Sequence, residues 1–143
     1  MRKTATALLG IAVAAGLLTG CTSSDDHRNA ASSSSVATKL PDDPDRTKSR
    51  KQAEEFRSWV RKHGTGAQQN AVTRVQKIIG EWDAETATAF ISTDINGGPT
   101  PVADPMATAD AIAEAFTTYT RSQKSRVSVY DVFGNLLAGE RRA

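Results

Sequence analysis

Three carboxylates crowd around an indole in this chain: Glu81, Asp83 and Glu85 flank Trp82. Paired carboxylates beside an aromatic platform are the parts used to bind a sugar or to cleave its glycosidic bond. Cleavage depends on the separation of the two carboxyl groups, which spacing within a turn does not set. A solvated turn with Trp82 partly buried is the simpler reading. Asp94-Ile95-Asn96-Gly97-Gly98 starts like a calcium loop. That loop needs an oxygen ligand at Gly98 and a bidentate glutamate at Pro105, so a strand-ending turn fits better.

Other chemistry is thinner still. His63 is the one histidine in the expected folded part, and it falls at a helix terminus where the dipole favours it. His27 stands without neighbours that could complete a metal site. The chain has no Gly-x-Ser-x-Gly elbow, and Gly97-Gly98 lacks the Lys and Ser/Thr of a phosphate loop. The side chains therefore predict no catalytic, cofactor-binding or metal site, and a protein that is not an enzyme.

The single cysteine, Cys21, belongs to a different chemistry. Arg2 and Lys3 precede an uncharged, mostly apolar stretch over residues 4–18, and Leu18-Thr19-Gly20-Cys21 closes it with small residues. This resembles the lipobox of bacterial lipoprotein signal peptides, which read Leu-x-Gly/Ala-Cys. The resemblance implies diacylglycerol on the Cys21 thiol and cleavage between Gly20 and Cys21. Residues 1–20 would then be the signal peptide. The protein would sit on the extracytoplasmic face of the cell membrane, held by the lipid on Cys21. Two acyl chains make such anchoring stable where one does not.

Removing Arg2 and Lys3 leaves 16 basic and 16 acidic residues, so the mature chain carries no nucleic-acid footprint. The basic cluster of Lys48, Arg50, Lys51, Arg57, Arg61 and Lys62 is interrupted by Glu54 and Glu55 and reads as a solvated helix face. Residues 21–48 hold Ser32-Ser33-Ser34-Ser35, Pro41, Pro44 and three nearby aspartates, with few large apolar side chains. Such a stretch reads as a flexible linker.

The remaining residues, 49–143, suffice for one small domain. Ser49 and Gln52 fit a capping box opening a helix to His63, with Ala53, Phe56 and Val60 on one face. Val72, Val75, Ile78 and Ile79 fit a helical stripe about as well as a strand, and β-branching favours a strand over residues 71–80. After a turn at residues 81–85, alternation predicts a second strand over residues 86–95. Asp104 as cap, Pro105 at the first position and Met106, Ala109, Ile112, Ala113, Phe116 and Tyr119 on one face predict a helix. Residues 126–130 read as a strand, with Val127 and Val129 opposite Ser128 and Tyr130, continued through a turn at Gly134-Asn135. The large aromatics, Phe133 among them, read as core, with Tyr119 and Tyr130 nearest a surface.

The expected fold is a small α+β domain, helix-strand-strand-helix-strand, with both helices on the sheet. An open sheet face or edge would be the place for an envelope protein or ligand to bind. Ser92-Thr93-Asp94-Ile95-Asn96-Gly97-Gly98, Ile112-Ala113-Glu114-Ala115-Phe116 and Val127-Ser128-Val129-Tyr130-Asp131 are similar to segments of small exported lipoproteins of high-GC Gram-positive bacteria. That resemblance implies no activity or site. The reading is a membrane-tethered binding module, with a cell-wall sugar enzyme or a structural envelope protein as alternatives.

Overall fold

Asp45, rather than Ser49, opens the first helix. Its carboxylate accepts from the amides of Thr47 and Lys48 at 3.1 and 3.0 Å, and α1 runs Arg46–His63. Aspartate is among the best N-caps, so it captures the helix start before Ser49 can. Ser49 lies buried inside the helix and donates to Asp43 Oδ2 at 2.7 Å, while Gln52 Nε2 reaches the Gly80 carbonyl at 3.3 Å. The structure, a computed structural model, describes residues 37–139. The expectations for residues 1–20, Cys21 and His27 lie outside the described residues.

A capping box does form, but at Thr65 and Gln68, where each side chain bonds the other's backbone amide. It opens α2 (Gly66–Val72), a short helix missing from the expected order. Ala71 and Val72, expected in a strand, are its buried last residues. Only from Val75 does β-branching prevail. There β1 (Val75–Trp82) begins, and it continues past Gly80. The remaining elements are β2 (Thr86–Thr93), α3 (Pro105–Thr120), β3 (Lys124–Tyr130) and β4 (Leu136–Ala138). Asp104 caps α3 through the Ala107 amide, at 2.9 Å, with Pro105 in the first turn, as its sequence predicts.

The domain is α+β, with three helices and a four-stranded mixed sheet among the described residues. The order is β1-β2-β3-β4, with the central pair β2 and β3 parallel and the outer pairs antiparallel. A parallel pair needs a crossover, and α3 supplies it. On one side of the sheet α1 packs on β1 and α3 on β3 and β4, and α2 packs against those two helices. Phe56, Val60, Ile78, Ile91, Ile112, Phe116, Val127 and Val129 fill the space between, each fully buried. Among the described residues no helix is long and apolar enough to cross a membrane.

The other sheet face is covered toward the Tyr130 end and open at the far end, where Thr86, Thr88, Lys124 and Arg126 are exposed. Tyr130 and Ser128 point to this face, opposite Val127 and Val129, yet Tyr130 is 0% exposed and Ser128 only 6%. Residues 37–45 cross that face as a strap. Tyr130 Oη donates to the Ala37 carbonyl at 2.7 Å, the Leu40 amide donates to the Gly134 carbonyl, and Lys39 bridges to Asn135. At the far side Asp43 pairs with Lys77 across 3.4 Å, its side chain 4% exposed. The linker boundary at residue 48 is therefore corrected: the folded part includes the strap. Its aspartates and prolines contribute little apolar surface of their own but cover that of the sheet. On the β1 edge two carbonyls are taken, because Arg57 Nη1 and Gln52 Nε2 donate to Val75 and Gly80.

Candidate functional site

Where α1, the end of β1 and the end of α3 converge, a groove of about 400 Å³ opens between Lys48, Gln52, Glu55, Glu81, Trp82 and Tyr119. Such a volume lies within the usual range for small-ligand clefts. Trp82 reaches it because β1 passes Gly80 and carries the indole to the helix-facing side of the sheet. There it packs edge-on against Phe116, centroids 5.1 Å apart, and against Tyr119 at 6.3 Å. Tyr119 also contacts Phe56 at 5.4 Å and Trp59 at 5.5 Å. Each ring of the floor is thus clamped by others, and both Trp82 and Tyr119 remain partly exposed.

The rim is polar. Lys48 Nζ lies 2.9 Å from Glu81 Oε1, with both side chains half-exposed or more, so solvent weakens the pair. The hydrogen bond from Lys48, and then its charge, holds the Glu81 carboxyl below the usual carboxylate range. Glu55 is 3.8 Å from Lys51. Burial, and secondarily the Glu55 charge, raises the Tyr119 hydroxyl above its ordinary value. The groove is thus edged by Lys48, Gln52, Glu55 and Glu81 around the two rings, one of which carries the Tyr119 hydroxyl. A second depression of about 280 Å³ shares Lys48, Gln52 and Glu81 and extends along β1 past Ile79 to Asp43 and Pro44.

Of the acidic cluster around Trp82, the groove keeps only Glu81. Asp83 shapes the β1–β2 turn, its Oδ1 accepting from the Glu85 and Thr86 amides, both at 2.8 Å. Those two hydrogen bonds hold its carboxyl low. The sequence names Lys48, Gln52, Glu55 and Tyr119 in other roles but does not join them to Trp82, because each is more than twenty-five residues from it and no local pattern links them.

The other singled-out residues have structural partners. Asp94 Oδ1 lies 2.7 Å from Arg74 Nε, and the Gly97 and Gly98 amides donate to its carbonyl, closing the expected turn. His63 stacks on Trp59 at 4.8 Å and bonds its carbonyl. Among the described residues no three His, Cys, Asp or Glu side chains converge to hold a metal. Two aromatic expectations are corrected. Tyr130 is buried beneath the strap, and Phe133, expected in the core, is 69% exposed, because it occupies the β3–β4 turn rather than a strand.

Asp131 holds that turn. Its Oδ1 accepts from the Phe133 and Asn135 amides, both at 2.9 Å, and its Oδ2 accepts from Asn96 Nδ2 and Asn135 Nδ2. Burial pushes its carboxyl upward, but these hydrogen bonds together outweigh burial and leave it below the ordinary value. The unfolded chain therefore takes up the proton first as pH falls. The stabilisation is complete above the unfolded value near 3.8 and disappears as pH drops through the folded one. Asp131→Ala is expected to cost about 2–3 kcal/mol at pH 7 and to flatten the acid limb of urea stability below pH 4. An unchanged acid limb in the variant would remove Asp131 from that role.

Compared with known proteins, the chain matches no family model, and neither a curated protein nor a solved structure is significantly similar to it.

Proposed function

We propose that the chain is a lipid-anchored extracytoplasmic binding module whose ligand seat is the groove floored by Trp82 and Tyr119. The leader and Leu18-Thr19-Gly20-Cys21 support the anchor. The observation that carries the binding reading is that clamped floor, edged by Lys48, Gln52, Glu55 and Glu81. Flat rings under a rim of mixed donors and acceptors suit a ligand with one apolar face and many hydroxyls, which is the chemistry of a saccharide.

Binding without turnover is favoured by the state of Glu81. A glycosidase needs one carboxyl held protonated near neutral pH. Lys48 drives Glu81 the opposite way, toward the charged form. Glu81 therefore suits a contact rather than a proton donor.

Two measurements test the reading. Acyl-lipid labelling of the whole chain in a bacterial host should mark Cys21 and vanish in Cys21→Ser. Titrating the mature Cys21→Ser chain with soluble cell-wall saccharide fragments should give a saturable change in tryptophan emission. Glu55→Ala should weaken that binding about fivefold, through loss of a rim hydrogen bond. A flat titration would dismiss the groove as the seat, and released sugar products would turn the module into an enzyme.

A further inference from the structure

Among the described residues the exposed large hydrophobic side chains are Met106, Val132 and Phe133, at 56%, 46% and 69% exposure. They share one end of the domain. Val132 and Phe133 form the β3–β4 turn, directly after Tyr130. Met106 stands in the first turn of α3, which follows the loop leaving β2 at this end. From there α3 runs back until Tyr119 meets Trp82 at the opposite end. Isolated surface hydrophobics are ordinary, but their collection at one end is not.

The turn is stiff rather than frayed. Asp131 braces it as described, and the Val132 amide donates to the Ile95 carbonyl at 3.0 Å. Gly97 leaves no room for a Cβ beside Val132 Cγ1, so the two loops press together. Asp131 turns its charge inward at 4% exposure, and the polar side chains nearest the turn are the neutral Asn96 and Asn135 and the cationic Lys39, while Asp94 is paired with Arg74 and Asp104 caps α3 beside Met106.

The same end receives the chain from its N-terminal side. Ala37, Lys39 and Leu40 bond to Tyr130, Asn135 and Gly134 there. Ala37 lies sixteen residues after Cys21, so this end stays within about 55 Å of that thiol even at full extension. We propose that Val132 and Phe133, flanked by Met106, form a membrane-contact surface that enters the interfacial layer of the bilayer. This proposal rests on the lipid-anchor reading for its occupant. Apolar side chains of this kind settle at the boundary between headgroups and acyl chains. The contact turns the tethered domain so that the Trp82 groove, about 17 Å away along β3, points away from the lipid.

Cys21 is the only cysteine, which allows a test independent of cellular acylation. The mature chain, residues 21–143, is coupled through Cys21 to a maleimide-headgroup lipid in phosphatidylcholine and phosphatidylglycerol vesicles. Phe133→Trp, at an exposed position, should show emission quenched by brominated acyl chains beyond the background of Trp59 and Trp82 in the parent. The untethered Cys21→Ser chain should bind the same vesicles weakly, and Val132→Ser with Phe133→Ser should reduce that binding tenfold or more. Quenching no greater than in the parent, or vesicle binding indifferent to the double substitution, would overturn the contact surface. Acyl labelling that fails in cells beside quenching that succeeds on vesicles would instead remove the anchor and leave the surface standing.

Discussion

A chain beginning at Ser49 is expected to lose about 4–6 kcal/mol of stability relative to one beginning at Ala37, measured by urea unfolding. Three losses add up. Tyr130 and Ile79, 0% and 9% exposed beneath the strap, would face water, each worth about 1.5–3 kcal/mol when fully uncovered. The Asp45 cap of α1 would go, at about 1 kcal/mol. Asp43 would no longer meet Lys77 or Ser49. Domains of this size hold only about 5–15 kcal/mol in total, so the shortened chain stands at the edge of unfolding. Tyr130→Phe separates the contributions. It keeps the ring and deletes the hydroxyl's bonds to the Ala37 carbonyl and to Ser128, at about 1–2 kcal/mol. Coincident unfolding curves for the two chain lengths would show that residues 37–48 are a dispensable linker after all.

The strap also shows why some of this fold was hidden in the sequence. Composition reports what a segment's own side chains can bury, and Thr38, Pro41, Asp42 and Asp43 bury little. What the strap contributes is cover for Tyr130 and Ile79, which lie far along the chain. No window placed on residues 37–45 contains that fact. The third helix is the opposite case. Asp104, Pro105 and a stripe from Met106 to Tyr119 state its start and its face within one segment, and the structure agrees except at Met106, which the first turn leaves 56% exposed rather than on the buried face. Helix α2 fell between these extremes. Seven residues are too few to display a stripe, and its last two, Ala71 and Val72, run into the β-branched residues of β1.

The groove was half legible for the same reason. Glu81 and Trp82 drew attention as neighbours, yet the strand sends consecutive side chains to opposite faces. Trp82 joins the helices, while Glu81 reaches the groove only at its rim, beside Lys48 of α1. Tyr119 comes from the far end of the crossover helix. A β-α-β crossover brings such distant residues together, and its register follows from packing, which alternation alone does not encode. Phe133 was misplaced because an aromatic in a turn has the same composition as one in a strand. The Asp131 side chain, closing on the Phe133 and Asn135 amides, was the available turn signal.

Gly80→Ala is expected to cost about 3–5 kcal/mol, well above an ordinary surface substitution. Gly80 lies in mid-strand at φ 141°, a backbone region that side chains other than hydrogen rarely occupy. A Cβ there would also collide with the Thr88 carbonyl oxygen on the paired strand. Neither neighbour can yield cheaply, because that oxygen is main chain and β2 is held on its other side by β3. The displacement would spread to function. Gly80 offers its carbonyl to Gln52 and immediately precedes Glu81 and Trp82, so shifting it disturbs rim and floor together. Saccharide affinity should therefore fall along with the urea midpoint, even where the variant remains folded. Gly66→Ala supplies the contrast. It opens α2 with nothing within 4 Å of a built Cβ, and is expected to be neutral or to stabilise by about 0.5–1 kcal/mol. Equal midpoints for the two alanine variants would mean that β1 admits a side chain at Gly80, and that the path of the strand into the groove is set by something other than this glycine.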